Sequence, residues 1–369
     1  MKDKNKSPEL RFAAFKGDWV EKKFEKVFRG IRNNSLSRDK LNYKSGKAKN
    51  IHYGDILVKF GEIVDVQKQQ LPFITGDDDA ENLRGSELIN GDVILADAAE
   101  DEIVGKCIEI QNINTEVIHS GLHTIAVRPL QKFAPKYLGY YLNSSSYHDQ
   151  LIRLMQGTKV LSISKTAIQD TGVRYPSNEE EQNKISEYIT EINELITKHQ
   201  KKQNRLVTLK KSMLEKMFPN EGQAVPEIRF KGFGGDWVEK KLNQIATYQS
   251  SSLTVGDALQ NGKYELYDAN SLIGFTNEET LSEVYITIIK DGSGVGRLRV
   301  LPKNTGFIAT LGAILPNKGI DITFLLCCLL NTDFNSHIMG ATIPHVYFSS
   351  YGEVVYRIPT TEEQLKIGE

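Results

Sequence analysis

Short apolar runs rich in β-branched residues, set between glycine-bearing turns, fill most of this chain. Asp92–Asp97, Cys107–Gln111 and Thr124–Arg128 read as strands, and so do Tyr285–Ile289 and Arg297–Leu301. Glycines at 91, 105, 121, 292, 294 and 296 supply the turn chemistry between them. A helical pattern follows each set of strands, at Pro135–Leu142 and at Asp321–Leu330. From 179 to 217 the period changes altogether. No Gly or Pro interrupts those 39 residues, and Ile185, Tyr188, Ile192, Leu195, Leu206, Leu209 and Met213 recur as a heptad seam, with His199 and Lys202 filling two seam positions less well. At 1.5 Å per residue this predicts a helical rod of roughly 58 Å that needs a partner helix.

The pattern occurs twice because the sequence does. Residues 8–23 read PELRFAAFKGDWVEKK and residues 226–241 read PEIRFKGFGGDWVEKK, identical at 12 of 16 positions with an offset of 218. Val104-Gly105-Lys106 returns as Val295-Gly296-Arg297, Thr158 as Thr342, and Glu181-Gln182 with Ile185 as Glu363-Gln364 with Ile367. The last offset is 182, so the second copy is shorter by 218 − 182 = 36 residues between matching ends. Repeats this long mark two copies of a whole domain. The expected fold is α+β: two similar domains of mixed or antiparallel sheet with short helices, at 1–178 and 219–361, separated by a long coiled-coil helix at 179–218. A second such helix begins at 362–369.

The helix charges are segregated. Glu179, Glu180, Glu181, Glu187, Glu191 and Glu194 come first; Lys201, Lys202, Arg205, Lys210, Lys211 and Lys216 come last. That order suits the helix dipole, and it favours antiparallel over parallel pairing. The sequence ends at Glu369, so the seam has no internal partner and is expected to drive self-association.

Net charge is −1, from 46 Lys+Arg against 47 Asp+Glu, so any nucleic-acid contact must come from a local cluster of cations. Cys107, Cys327 and Cys328 lack CxxC spacing and read as buried thiols of a reducing compartment. The N-terminus carries no apolar signal region and no apolar run is long enough to span a bilayer, which points to the cytoplasm and away from membranes.

Catalytic motifs are missing. There is no [ND]PP[YF] methyl-transfer motif and no GxxxxGK[ST] phosphate loop. Gly292-Ser-Gly-Val-Gly-Arg297 lies between strand patterns and reads as a hairpin. Asp97, Glu100, Asp101 and Glu102 have no counterpart in the second copy and read as a solvated turn, and the seven histidines form no HExxH motif, so no metal site is expected. Trp19 and Trp237 read as anchors of the opening motif on its domain.

Polar segments that either contact nucleic acid or stabilise their own turns sit just ahead of each helix start. Gly157–Lys165 offers Thr158, Lys159, Ser162, Ser164 and Lys165; Ala341–Ser350 offers Thr342, His345, Tyr347, Ser349 and Ser350. Hydroxyls, lysines and imidazoles bond phosphate oxygens and base edges. Lys59, Lys68, Lys106, Arg297 and Arg299, in the hairpins, are secondary candidates.

The duplicated PELRFxxFxGDWxxKK opening, the EEQxxI closure and the long helix between copies resemble the specificity subunit of bacterial type I restriction-modification enzymes. The resemblance spans the chain. It implies a non-catalytic protein whose two target-recognition domains each read half of a split double-stranded DNA site. Partners would be two methyltransferase subunits and restriction subunits, which bring S-adenosylmethionine, ATP and Mg; none of these cofactors would sit on this chain. The family pattern carries a second long helix after the second domain, and here only its start is present. The competing readings are a self-sufficient DNA methyltransferase or nuclease, which the missing catalytic motifs oppose, and a coiled-coil scaffold or anti-restriction decoy that reads no sequence.

Overall fold

The computed structural model describes residues 8–220, 222–340 and 342–369. The N-terminal residues 1–7 and Ala341, which belonged to the readings above, lie outside them. Two compact units divide the chain at His199/Gln200, inside the long helix. The division differs from one drawn at the helix ends because each end packs on its own unit: Ile185 against the core of the first, Leu214 and Met217 against the core of the second.

In the first unit a five-stranded sheet runs in the order Phe28–Ile31, Thr124–Pro129, Val93–Ala96, Cys107–Gln111, Ile63–Asp65. All its pairs are antiparallel except the last. The run Val93-Ile-Leu-Ala96 is unbroken in apolarity because both sheet faces are covered. Period two sends Val93 and Leu95 into one core with Phe28 and Val127, and Ile94 and Ala96 into another with Ile108 and Ala126. A second, four-stranded sheet orders Ile118–Ser120, Lys49–Ile51, Phe73–Ile74 and Leu41–Asn42.

The second unit repeats the main sheet with one strand fewer: Ala246–Ser250, Leu311–Pro316, Tyr285–Ile289, Leu298–Leu301, all antiparallel. Among the described residues no strand matches Ile63–Asp65 beside Leu298–Leu301, so part of the sequence lost from this copy is its fifth strand. Leu272–Thr276, Tyr264–Tyr267 and Thr305–Phe307 form its small sheet.

The shared frame is local to the repeated motifs. Val20–Lys23 pairs antiparallel with Gly172–Tyr175, and Val238–Lys241 pairs with Val355–Ile358 in the same way. Each opening VEKK is thereby stitched to the strand leading into a helix start. Gln182 and Gln364 lock the same junction. Each accepts from the backbone N–H that leads into the preceding helix (Ala134 and Asp321, both 2.9 Å) and donates to a proline carbonyl (Pro176, 2.8 Å; Pro359, 3.0 Å). The helices themselves are Tyr137–Asn143 and Ile322–Leu330, every end within two residues of the apolar patterns. Fold class is α+β, with helix Glu179–Lys216 joining the two units.

The tryptophans anchor the opening motif by different means. Trp237 is buried against Phe218 and Phe324, whereas Trp19 is half-buried and donates to Glu181 at 3.3 Å. The three cysteines are free thiols; Cys107 and Cys328 are buried and Cys327 is half-buried, and burial pushes all three thiols above their ordinary range.

Candidate nucleic-acid interface

Each unit carries a tight hairpin just before its closing strand. In the first, Gln156 and Ser162 exchange backbone hydrogen bonds of 3.0 and 2.8 Å; in the second, Met339 and His345 exchange bonds of 2.9 and 2.8 Å. Both turns require glycine. Gly157 has φ +116° and Gly340 φ +88°, and a Cβ on either would collide with the carbonyl oxygen of Val160 or Ile343. The matched pairs Gly157/Gly340 and Ser162/His345 set the offset here at 183. Lys159 therefore matches Thr342, correcting the match of Thr158 with Thr342 by identity. The glycine turn and the closing bridge set spatial register, and a single shared threonine does not.

Both hairpins lean on the segment leaving the central strand. Leu161–Ser162 pairs with Ala98–Ala99, and Ile163 N–H donates to the Asp97 carbonyl at 2.9 Å. In the second unit His345 bridges Asp291, and Val346 N–H donates to the Lys290 carbonyl at 2.9 Å.

The candidate side chains separate into free and engaged groups. Thr158, Lys159, Ser162, Thr342 and Ser349 are exposed. Tyr347 is half-exposed with its ring 5.9 Å from that of His345, whose Nδ1 lies 3.5 Å from Asp291. Lys165 reaches the Ile31 carbonyl at 3.3 Å. Ser164 accepts from Ala167 N–H at 3.1 Å and so closes a local turn with its own side chain, a role such a hydroxyl often takes. Ser350 bonds His337 Nδ1 at 2.9 Å.

Among the hairpin cations, Lys106 is a correction. Its ammonium donates to the Leu57 and Phe60 carbonyls at 3.1 and 2.8 Å, at the end of helix Tyr53–Val58, and burial lowers its pKa. It satisfies orphan helix carbonyls. Lys59 is held by Asp55 (2.9 Å) and the Tyr43 hydroxyl, and Lys68 stays exposed beside Asp65 at 3.3 Å. Arg297 donates to the Ala269 carbonyl and Asn270, both 2.6 Å. Arg299 lies over the Tyr267 ring, 4.9 Å from its centre.

The helix seam is mostly open. Tyr188, Ile192, Leu195, Leu206 and Leu209 are exposed, joined by Ile196 and Val207. Ile185 leaves that set, because it packs on the first unit's core, and Met213 is half-buried.

Sequence reading missed a groove. Arg32, Asn33, Asn34, Asn82, Asp97 and His123 line a polar cleft of about 450 Å³ at the exit of strand Phe28–Ile31. His123 sits at φ +53° with Nδ1 3.2 Å from Asp97, whose carboxyl burial pushes above its usual range. At the matching exit of Ala246–Ser250 the second unit opens a cleft of about 620 Å³ lined by Ser250, Ser251, Ser252, Asp257, Glu278 and Glu279. Setting Arg-Asn-Asn-Ser against Ser-Ser-Ser-Leu at offset 218 was the available signal. Among the described residues no three His, Cys, Asp or Glu side chains are grouped to hold a metal, and no helix is long and apolar enough to cross a membrane.

A model of the type I restriction modification DNA specificity domain matches residues 16–208 and again 234–369. The fold resembles the crystal structure of the S subunit of a type I restriction-modification system from M. genitalium, at 16% identity over 95% of this chain and 87% of that chain, with a TM-score of 0.61. It also resembles a chain from a structure of complex assembly and conformational transition in a type I restriction-modification system, at 14% identity over 95% of this chain and 88% of that one, with a TM-score of 0.52. No curated protein sequence matches. Matched once in each copy across most of its length, the chain belongs to the family of type I restriction modification DNA specificity domains.

Proposed function

We propose that the chain is the sequence-reading subunit of a type I restriction-modification complex, that its recognition domains occupy 1–178 and 219–361, and that each reads one half of a bipartite site in double-stranded DNA. The observation that carries this is one frame with two unlike clefts. The opening motif, its stitched strand and its helix start are superimposable in kind, while the groove after the first edge strand offers Arg and Asn in one unit and Ser and Glu in the other. Constant frame and divergent groove suit a common docking geometry with two base preferences.

Methyl transfer and cleavage then belong to two methyltransferase subunits and to restriction subunits. S-adenosylmethionine, ATP and Mg would sit on those chains, in the cytoplasm. The exposed seam of helix Glu179–Lys216, acidic first and basic last, supports docking of a partner helix laid antiparallel, from another subunit or from a second copy. Lys159, Thr158 and Ser162 in the first unit, and Thr342, His345 and Tyr347 in the second, are the proposed DNA contacts of the hairpins.

The test is co-expression with the methyltransferase partner and mapping of methylated adenines. A split motif with two defined halves is expected. Methylation without sequence preference, or assembly without methylation, would favour the scaffold or decoy instead.

A further inference from the structure

The internal repeat singles out one position where the two units contrast most sharply. Strands Phe28–Ile31 and Ala246–Ser250 are both edge strands of their main sheets, at the constant offset of 218. By period two, Gly30 and Arg32 share one face of the first, and Tyr248 and Ser250 share one face of the second. Lys165 lies over Gly30, its Cε 3.6 Å from where a Cβ would stand. The residue matching Lys165 at offset 183 is Phe348, which stacks on Tyr248 with ring centres 5.1 Å apart at 13°. One contact of the frame is therefore cationic in the first unit and aromatic in the second.

Arg32 is exposed at the mouth of the first cleft and has neither an ion pair nor a hydrogen bond among the described residues. Its base is held still. Asn33 donates to the Thr124 carbonyl at 2.9 Å; Asn34 donates to the Ser120 carbonyl at 2.9 Å and to Asn50 at 2.7 Å. The carboxylate beside it in the cleft, Asp97, is taken by His123. A free guanidinium projecting from a pinned strand exit is a preorganised fork of donors.

Resting on the DNA-reading function proposed above, we infer that Arg32 is a specificity-determining residue of the first unit, donating to the N7 and O6 acceptors of a guanine in its half-site. Those two atoms match the guanidinium fork in the major groove. Ser250, at the matching position, removes that readout from the second unit. A phosphate would offer the same acceptor chemistry, and the measurement separates the two.

The experiment maps methylated sites, and affinity against salt, for the complex with wild-type chain, Arg32→Ser and Arg32→Lys. If the wild-type complex methylates no bipartite motif, the parent reading fails before any variant is compared. Arg32→Ser is expected to relax one guanine position in one half of the motif, by roughly 5- to 150-fold in discrimination, and to leave the other half unchanged. Arg32→Lys should keep the salt dependence and lose part of that discrimination. Since Arg32 bonds nothing in the fold, melting of the free chain should not move. An unaltered motif would overturn the inference, and so would a uniform loss of affinity with a slope shallower by about one, which marks a phosphate contact.

Discussion

Arg11 and Glu181, 170 residues apart, form a two-pronged ion pair: Nε to Oε1 at 2.6 Å and Nη2 to Oε2 at 2.8 Å, with the carboxylate almost wholly buried. The guanidinium also donates to the carbonyls of Lys16 and Gly17, which folds the opening motif around it. Arg229 and Glu363 repeat the arrangement at 2.7 and 2.8 Å, with Gly234 and Gly235 as the carbonyl acceptors. The R of PELRF and the second E of EEQ recur because they are two ends of one contact.

Removing one end should be costly. Arg229→Ala leaves Glu363 buried without its partner, and the second unit is expected to lose about 3 kcal/mol. Denaturant unfolding can be followed by the buried Trp237 in a Trp19→Phe background. Replacing both partners, Arg229→Met with Glu363→Met, should restore most of the loss; an equal loss in single and double variants would show that the pair is not what holds the motif.

Two lysines should behave oppositely. Lys159→Ala is expected to make the log-log dependence of DNA affinity on salt shallower by about one, with unchanged melting. Lys106→Ala should cost about 1 to 3 kcal/mol of stability, since it strips the Leu57 and Phe60 carbonyls of their donor, and should leave the slope alone. A slope change from Lys106→Ala would return that residue to the DNA surface.

Glu109 sets a pH dependence in the first unit. Burial pushes its carboxyl up to about 7, even though it accepts from Lys136 N–H at 2.6 Å and Gly139 N–H at 2.9 Å. The folded state therefore binds a proton that the unfolded chain releases near its ordinary value of about 4.3. The contribution is fully present below that value and is lost as pH rises through about 7. Glu109→Gln should flatten the melting temperature of the first unit between pH 5 and 8, to be read by calorimetry; an undiminished slope would assign the dependence elsewhere.

The open helix seam should be adhesive. Sedimentation of the free chain at micromolar concentration is expected to show a species larger than 41.5 kDa. Leu195→Glu with Leu206→Glu should return it to a monomer without loss of fold, because both side chains are exposed. A monomeric wild type would remove the seam as a self-association surface.

Much was legible before any fold. Strands at Cys107–Gln111 and Tyr285–Ile289, the glycine-free helix, and the duplication itself follow from periods of 2 and 3.6 and from self-identity, which are local properties of the chain. The partners of a charged side chain are not local. Lys106 and Lys159 look alike in sequence, and only packing caps a helix with one and leaves the other in water. Ile185 fits the heptad as well as Leu195 does, yet the nearby core claims it. Arg32 shows no motif at all; its place at the mouth of a cleft depends on an edge strand, a hairpin and two asparagines brought together from positions up to about 90 residues away. Pattern along the chain sets which elements form, through backbone geometry and burial. Contact across the chain decides which groups remain free to meet a ligand, because each buried donor or charge must first be satisfied within the fold.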